Sequence, residues 1–292
     1  MRRQAITRPR DSGVVRTPDG RALGWAQWGP VQGRPVVFCS GAGMGRDLGF
    51  GADVLDRLDT RLICVDRPGV GASDPAPGRT LNDWAADVDA LAAQLGLSGF
   101  GVVGFSNGGP FALACAALGG ADAVAVVSGT DELAHPRFTG LLDPDVLALV
   151  RHAATDPDGF EDAFTGTDAD TMWRVVMETA SEIDRALYAD PLFERPYRRA
   201  LAEGFTQGGA GYARDLVLAF RRWTFDPGEI TVPVDLWYGG RDTSAVHSPD
   251  HGAGLAEIIP TARRHLLPQA GAALPWTHAE EILAALARRS RP

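Results

Sequence analysis

Short, almost wholly apolar runs punctuate the first half of the chain: Pro35-Val36-Val37-Phe38-Cys39, Arg61-Leu62-Ile63-Cys64-Val65, Phe100-Gly101-Val102-Val103 and Ala123-Val124-Ala125-Val126-Val127. They are rich in β-branched residues and lack polar alternation, which predicts strands buried on both faces, as in a parallel sheet. Amphipathic stretches at 48–58 and 80–95 lie between them and are expected to be helices. In the second, Thr80 is the expected cap, Asp83 stands in the capping-box position, and Trp84, Val88, Leu91 and Leu95 share one stripe. Val14-Val15-Arg16 and Leu23–Trp28, joined through Pro18-Asp19-Gly20, predict an antiparallel hairpin. Residues 1–12 are polar and read as a loose arm.

From about Asp131 the strand rhythm stops. Five helices broken by Pro and Gly are expected over 144–154, 157–164, 168–188, 191–205 and 212–225. Strands return with Val232–Tyr238 and Arg264–Leu267, and helices follow at 248–259 and 276–288. The fold class is therefore α/β, with a mostly parallel central sheet flanked by helices. Residues 1–130 and 229–292 form the core and 131–228 an inserted helical cap. No internal repeat or low-complexity linker is found.

Candidate chemistry sits where the third apolar run meets the next helical one, at Gly104-Phe105-Ser106-Asn107-Gly108-Gly109. Strand, G-x-S-x-G, then helix is the setting in which this motif works as a nucleophile elbow. The sharp turn leaves no room for side chains two positions either side of the serine, and Gly104 and Gly108 supply it. Ser106 would then hold its hydroxyl above the sheet, with the Asn107 N–H at a helix N-terminus to meet a developing oxyanion. With 35 glycines in the chain, an idle serine on a glycine-rich turn is the bland alternative. A second glycine-rich loop, Ser40-Gly41-Ala42-Gly43-Met44-Gly45, lacks the Lys-Ser/Thr of a phosphate loop.

Composition narrows the partners. The net charge of −9 argues against nucleic acid. Cys39, Cys64 and Cys115 lie in apolar runs and read as reduced core thiols of a cytoplasmic protein, not as a disulfide framework or metal site. Four arginines at the N-terminus have no apolar stretch behind them, so no signal peptide is expected, and no run is long enough to span a bilayer. The Lys-poor, Ala-, Arg- and Gly-rich composition suggests a high-GC bacterial genome.

Taken together, the hairpin, the Pro35–Cys39 strand with its glycine-rich loop, "VDRPGVGASD", "GFSNGG", a helical cap and "LWYGGRD" resemble the α/β-hydrolase family in order and spacing across nearly the whole chain. The resemblance implies Ser106 as nucleophile and Asp242, at the end of the strand after the cap, as the acid that orients a histidine. The backbone N–H groups of Ala42 and Asn107 would be the oxyanion donors. Asp131 is a second position some members use for the acid. The family's histidine follows the last strand as Gly-His, and here Gly271 is followed by Ala272. Alanine cannot take a serine proton. His247, on the loop after Asp242, is the best substitute. His135, His152, His265 and His278 read as surface or packing residues, and no histidine pair has a third metal ligand near it.

Ala272 leaves three accounts open: an engineered inactivation, a natural member running chemistry that needs no strong base, or a binding protein that lost its chemistry. The expected function is a serine hydrolase or acyl-transfer enzyme acting on a small, largely apolar ester, thioester or lactone, altered or inactivated at Ala272. The alternative is a non-hydrolytic hydrolase-fold protein, either a cyclase, a lyase or a ligand-binding pseudoenzyme. A small-molecule substrate is expected, with no cofactor, metal, nucleic acid or membrane.

Overall fold

The computed structural model describes residues 6–289. The strands are β1 (Asp11–Arg16), β2 (Ala22–Trp28), β3 (Arg34–Cys39), β4 (Thr60–Val65), β5 (Gly101–Phe105), β6 (Ala123–Val127), β7 (Val234–Gly239) and β8 (Ala262–Leu267). They form one sheet in the order β1-β2-β4-β3-β5-β6-β7-β8. β2 runs antiparallel to both β1 and β4, and every pairing from β4 to β8 is parallel.

Period-two alternation sorts strand side chains onto two faces. Val36, Phe38, Val103, Phe105, Ala125 and Val127 enter one apolar cluster, and Val37, Cys39, Val102, Val124 and Val126 enter the other. The first face packs against the last helix, α11 (Ala279–Arg289), through Ile282, Leu283 and Leu286. The second is covered by α1 (Leu81–Gln94) and α2 (Gly109–Leu118) through Trp84, Val88, Leu91, Phe111 and Leu113. α1 starts as its sequence predicts, with Thr80 Oγ1 accepting from the Asp83 N–H and the Asp83 carboxylate accepting from the Thr80 N–H. Cys39, Cys64 and Cys115 are free and buried, and burial pushes the Cys64 thiol well up.

Between β6 and β7 the described residues form helices but no strand: α3 (Pro144–Thr155), α4 (Pro157–Phe164), α5 (Ala169–Thr179), α6 (Glu182–Tyr188), α7 (Pro191–Gly204) and α8 (Ala210–Phe220). Their apolar faces join the first core cluster through Phe160, Trp173, Tyr188, Phe193, Tyr197 and Phe220. The Gly45 N–H donates to Ala200 O at 2.9 Å and the Gly71 N–H to Gly204 O at 3.1 Å, laying the end of α7 on the loops after β3 and β4. Beyond the sheet come α9 (Ala253–Ile258) and the short α10 (Leu274–Thr277).

Several expected elements differ. Residues 1–5 of the expected loose arm lie outside the described residues. From Ile6 the chain is tied down: Ile6 packs on the core, Trp28 Nε1 donates to Thr7 O, and the Arg10 N–H donates to Gln27 O. Residues 48–58 form successive turns instead of a helix, because Gly51 at φ +69° breaks the path while Leu48, Phe50, Val54 and Leu55 still find the core. The helix expected over 168–188 is two. Ala180 is extended and Ser181 caps a new start by accepting from the Asp184 N–H. The helix expected over 212–225 ends at Phe220, where Arg221 turns extended. That expected over 248–259 starts only at Ala253, after positive-φ His251 and Gly252. The last helix is interrupted at His278.

Candidate active site

Strand register brings the site together. Cys39 pairs with Gly104, Phe105 with Val127, Val127 with Trp237, and Gly239 with Leu267. The loops leaving these ends therefore share one edge of the sheet, and they carry Ala42, Ser106, Asp131, Asp242 and Ala272. Ligands of open α/β sheets bind beyond this edge.

Ser106 sits at the tip of the turn from β5 into α2, at φ +52°, a conformation non-glycine residues rarely adopt. The neighbouring glycines are required by contact. A Cβ on Gly104 would lie 2.6 Å from Ala112 Cβ, and one on Gly108 would run into the Cys39 and Ser40 carbonyls. The Thr130 N–H donates to Ser106 O at 3.0 Å, pinning the turn from the β6 side.

Beside the serine stands His247. Its Nε2 is 2.8 Å from Ser106 Oγ and its Nδ1 is 2.6 Å from Asp242 Oδ2. A carboxylate accepts only, so it fixes the tautomer: Nδ1–H donates to Asp242, and Nε2 is left to accept from the serine hydroxyl. The Ser244 N–H donates to the other Asp242 oxygen at 3.0 Å. Burial works to raise the Asp242 carboxyl, but the neighbouring His247, the hydrogen bond it donates and that of the Ser244 N–H outweigh it and hold the group below its ordinary value. His247 and Asp242 are both buried, while Ser106 keeps some exposure.

The imidazole beside Ser106 is thus that of His247, and residue 272 contributes none. Ala272 is elsewhere engaged: its N–H and that of Ala273 donate to the two Asp184 oxygens, at 2.7 and 3.0 Å, and the Ser181 hydroxyl donates to the same carboxylate. A Cβ on Gly271 would collide with Asp184, so this loop lies tight under the start of α6.

Asp131 does not take the acid's place. It accepts from Arg137 Nη2 at 2.8 Å, from the Glu132 N–H at 2.7 Å and from Ser248 Oγ at 3.0 Å. Burial, with Asp250 nearby, pushes its carboxyl up to about 6 against the pull of Arg137. Its bond to Ser248 fixes the residue after His247, and the Ser248 N–H donates to Gly129 O. The other histidines are engaged away from Ser106. His265 stacks on Trp237 and bonds Asp235, His278 bonds Thr277, and His152 lies against Phe160.

Ala42 lies on the loop after β3. Arg67 grips that loop, with Nη1 donating to Ser40 O at 2.7 Å and Nη2 to Gly41 O at 2.9 Å. Asn107, next to the nucleophile, is buried. An aromatic file reaches the elbow: Tyr188 meets Phe193, Phe193 meets Trp276, and Trp276 meets Phe105 with ring centroids 5.0 Å apart. Among the described residues no cluster of three or more His, Cys, Asp or Glu is arranged to hold a metal ion, and no helix is long and apolar enough to cross a membrane.

Comparison with known proteins places the chain in a family. Over 280 residues the chain is 30% identical to a pimeloyl-[acyl-carrier protein] methyl ester esterase of Chromobacterium violaceum, covering 88% of this chain and 94% of that protein. A shorter match, 40% identical over 100 residues, covers 33% of the chain and 36% of a non-heme chloroperoxidase of Streptomyces lividans. The crystal structure of a bromoperoxidase from Bacillus anthracis superposes with a TM-score of 0.68 at 21% identity, covering 95% of this chain and 99% of that one. Residues 34–279 match the family described as the alpha/beta hydrolase fold. With its sheet order and its serine turn between β5 and α2, the chain belongs to the α/β-hydrolase family.

Proposed function

We propose that the protein is a serine esterase whose nucleophile is Ser106, whose general base is His247 and whose orienting acid is Asp242. One observation carries the reading: the unbroken hydrogen-bonded line from Ser106 Oγ through His247 to Asp242, at 2.8 and 2.6 Å. In this reading residues 131–228 form the cap over the elbow. The substrate class is a small, largely apolar ester, thioester or lactone. Ala42, Phe205 against the neighbouring Gly43, and Val246 next to His247 support an apolar acyl group.

The steps follow from the roles. Ser106 Oγ attacks the carbonyl carbon as its proton passes to His247 Nε2, and Asp242 stabilises the resulting imidazolium. The carbonyl oxygen, now an oxyanion, accepts from the Ala42 and Asn107 N–H groups. Collapse breaks the carbon–oxygen bond to the alcohol, which leaves with the proton from His247. Water then gives a proton to His247, attacks the acyl-enzyme and releases the acid, and the proton returns to Ser106. Such chemistry needs a base near the serine, and His247 satisfies that need without residue 272.

The test is covalent capture. Incubation with a fluorophosphonate, followed by peptide mass spectrometry, is expected to find one adduct, on Ser106, and none in Ser106→Ala. An unlabelled wild-type protein that also leaves p-nitrophenyl butyrate intact would return the chain to the non-hydrolytic reading.

A further inference from the structure

Arg67 and Asp215 are among the most deeply buried charges in the molecule, with side chains 1% and 0% exposed. Arg67 Nε donates to Asp215 Oδ2 at 2.6 Å, and Arg79 Nη2 donates to the other oxygen. The Arg67 guanidinium lies 4.8 Å over the Phe111 ring of α2. Two further N–H groups donate to the carbonyls of Ser40 and Gly41. One side chain thus ties the loop after β3 to α2, which leaves the elbow, and to α8 of the helical insertion.

Taking two charges out of water costs several kcal/mol per ion, and a well-packed apolar pair often serves stability as well. The pair therefore calls for a reason other than holding the fold. Peptide geometry supplies one. The described peptides are all trans, and in a trans peptide the C=O of one residue and the N–H of the next point in opposite directions. Turning the Gly41 carbonyl toward Arg67 turns the Ala42 N–H away from it. The same loop lies against the elbow: a Cβ on Gly41 would lie 3.3 Å from Phe105 Cδ1, and one on Gly108 would lie 2.8 Å from Ser40 O.

We infer that Arg67, held by Asp215, is a positioning residue that aims the Ala42 N–H at the developing oxyanion, so that α8 of the insertion sets the oxyanion hole. This rests on the esterase reading above. A lysine at 67 would keep the charge, but it lacks the planar fork that reaches two carbonyls and a carboxylate together.

The experiment compares an oxoester with its thionoester, in which sulfur, a weak acceptor, replaces the carbonyl oxygen. Thionoester turnover gains little from the two N–H groups, so the oxo-to-thiono rate ratio reports on the oxyanion hole. Arg67→Lys is expected to lower oxoester kcat by ~30–100-fold with KM within a few-fold, and to shrink the ratio by a similar factor. Asp215→Asn should move the ratio the same way, less far. A merely structural role would lower both substrates alike and leave the ratio unchanged, which would overturn the inference. Wild-type protein inert toward the oxoester would instead overturn the esterase reading beneath it. Circular dichroism checks that the variants fold. Should neither fold, wild-type NMR decides: on forming an adduct with butylboronic acid, the Ala42 and Asn107 amide protons are expected to move downfield together, and an unmoved Ala42 overturns the inference.

Discussion

His247 and Ala272 stand on successive loops beyond β7 and β8, and it is His247 whose side chain bonds the serine. Ala272 is buried, and its N–H and that of Ala273 are bound to Asp184, so an imidazole at 272 would enlarge a side chain on a loop already packed and hydrogen-bonded. Ala272→His is therefore expected to leave ester turnover unchanged or lower it, and a rate raised tenfold or more in that assay would contradict the geometry. The elbow was legible in sequence because its glycines answer local contacts, and Asp242 because it follows a recognisable strand. The placement of His247 beside Ser106 is not written in the sequence, because it depends on a loop path. Asp131 and the Gly129 carbonyl both hold Ser248, the residue after His247, beside the turn that carries Ser106. The signal available was the spacing: aspartate and histidine five apart on one loop at the rim of the site.

At the scale of elements, the end of α5 and the start of α6 are stitched to both rim loops. Thr243 Oγ1 donates to Thr179 O at 2.8 Å, one residue from Asp242, and Asp184 holds the loop after β8. Asp184→Ala would orphan two buried N–H groups and the Ser181 hydroxyl, each costing ~1–3 kcal/mol when left unpaired. A fall in melting temperature of about 5 °C or more is expected from that loss in thermal denaturation. A variant melting with the wild type would show that the clasp adds nothing. Ser181 also shows what periodicity hides. The absence of Pro and Gly across 168–188 suggested one helix, yet Ser181 and Asp184 form a capping pair that starts a second. The turns at 48–58 likewise carry apolar spacing without helical backbone, since a positive-φ glycine stops propagation where the core would reward it.

Across the whole molecule, the insertion meets the core through charge as well as apolar packing. Glu203, at the end of α7, lies 3.3 Å from Arg46 and accepts from the Asp47 N–H. Burial, with Asp66 and Asp47 adding to it, pushes its carboxyl up to about 7 from an ordinary 4.5, against the pull of Arg46. A raised folded value means that folding takes up a proton between those two points. The stability it contributes is fully present below the unfolded value and is lost as pH rises through about 7. Glu203→Gln mimics the protonated form. Its melting temperature relative to wild type is expected to improve by about 3 °C or more between ~pH 5 and ~pH 8.5. A gap that stays constant with pH would contradict this.

The sheet was readable from its apolar runs, and the run of helices between β6 and β7 from their interruption. That the loop after β7, and not the one after β8, brings an imidazole to Ser106 was not, because it is decided by strand register and loop closure together. Stopped-flow release of p-nitrophenol from p-nitrophenyl butyrate, comparing wild type with His247→Ala, therefore tests the account most directly. Loss of the base should slow the acylation burst by ~10⁴-fold or more, leaving only what the oxyanion hole and binding supply. A His247→Ala burst within a few-fold of wild type would mean that another group activates Ser106, and the catalytic assignment would fall.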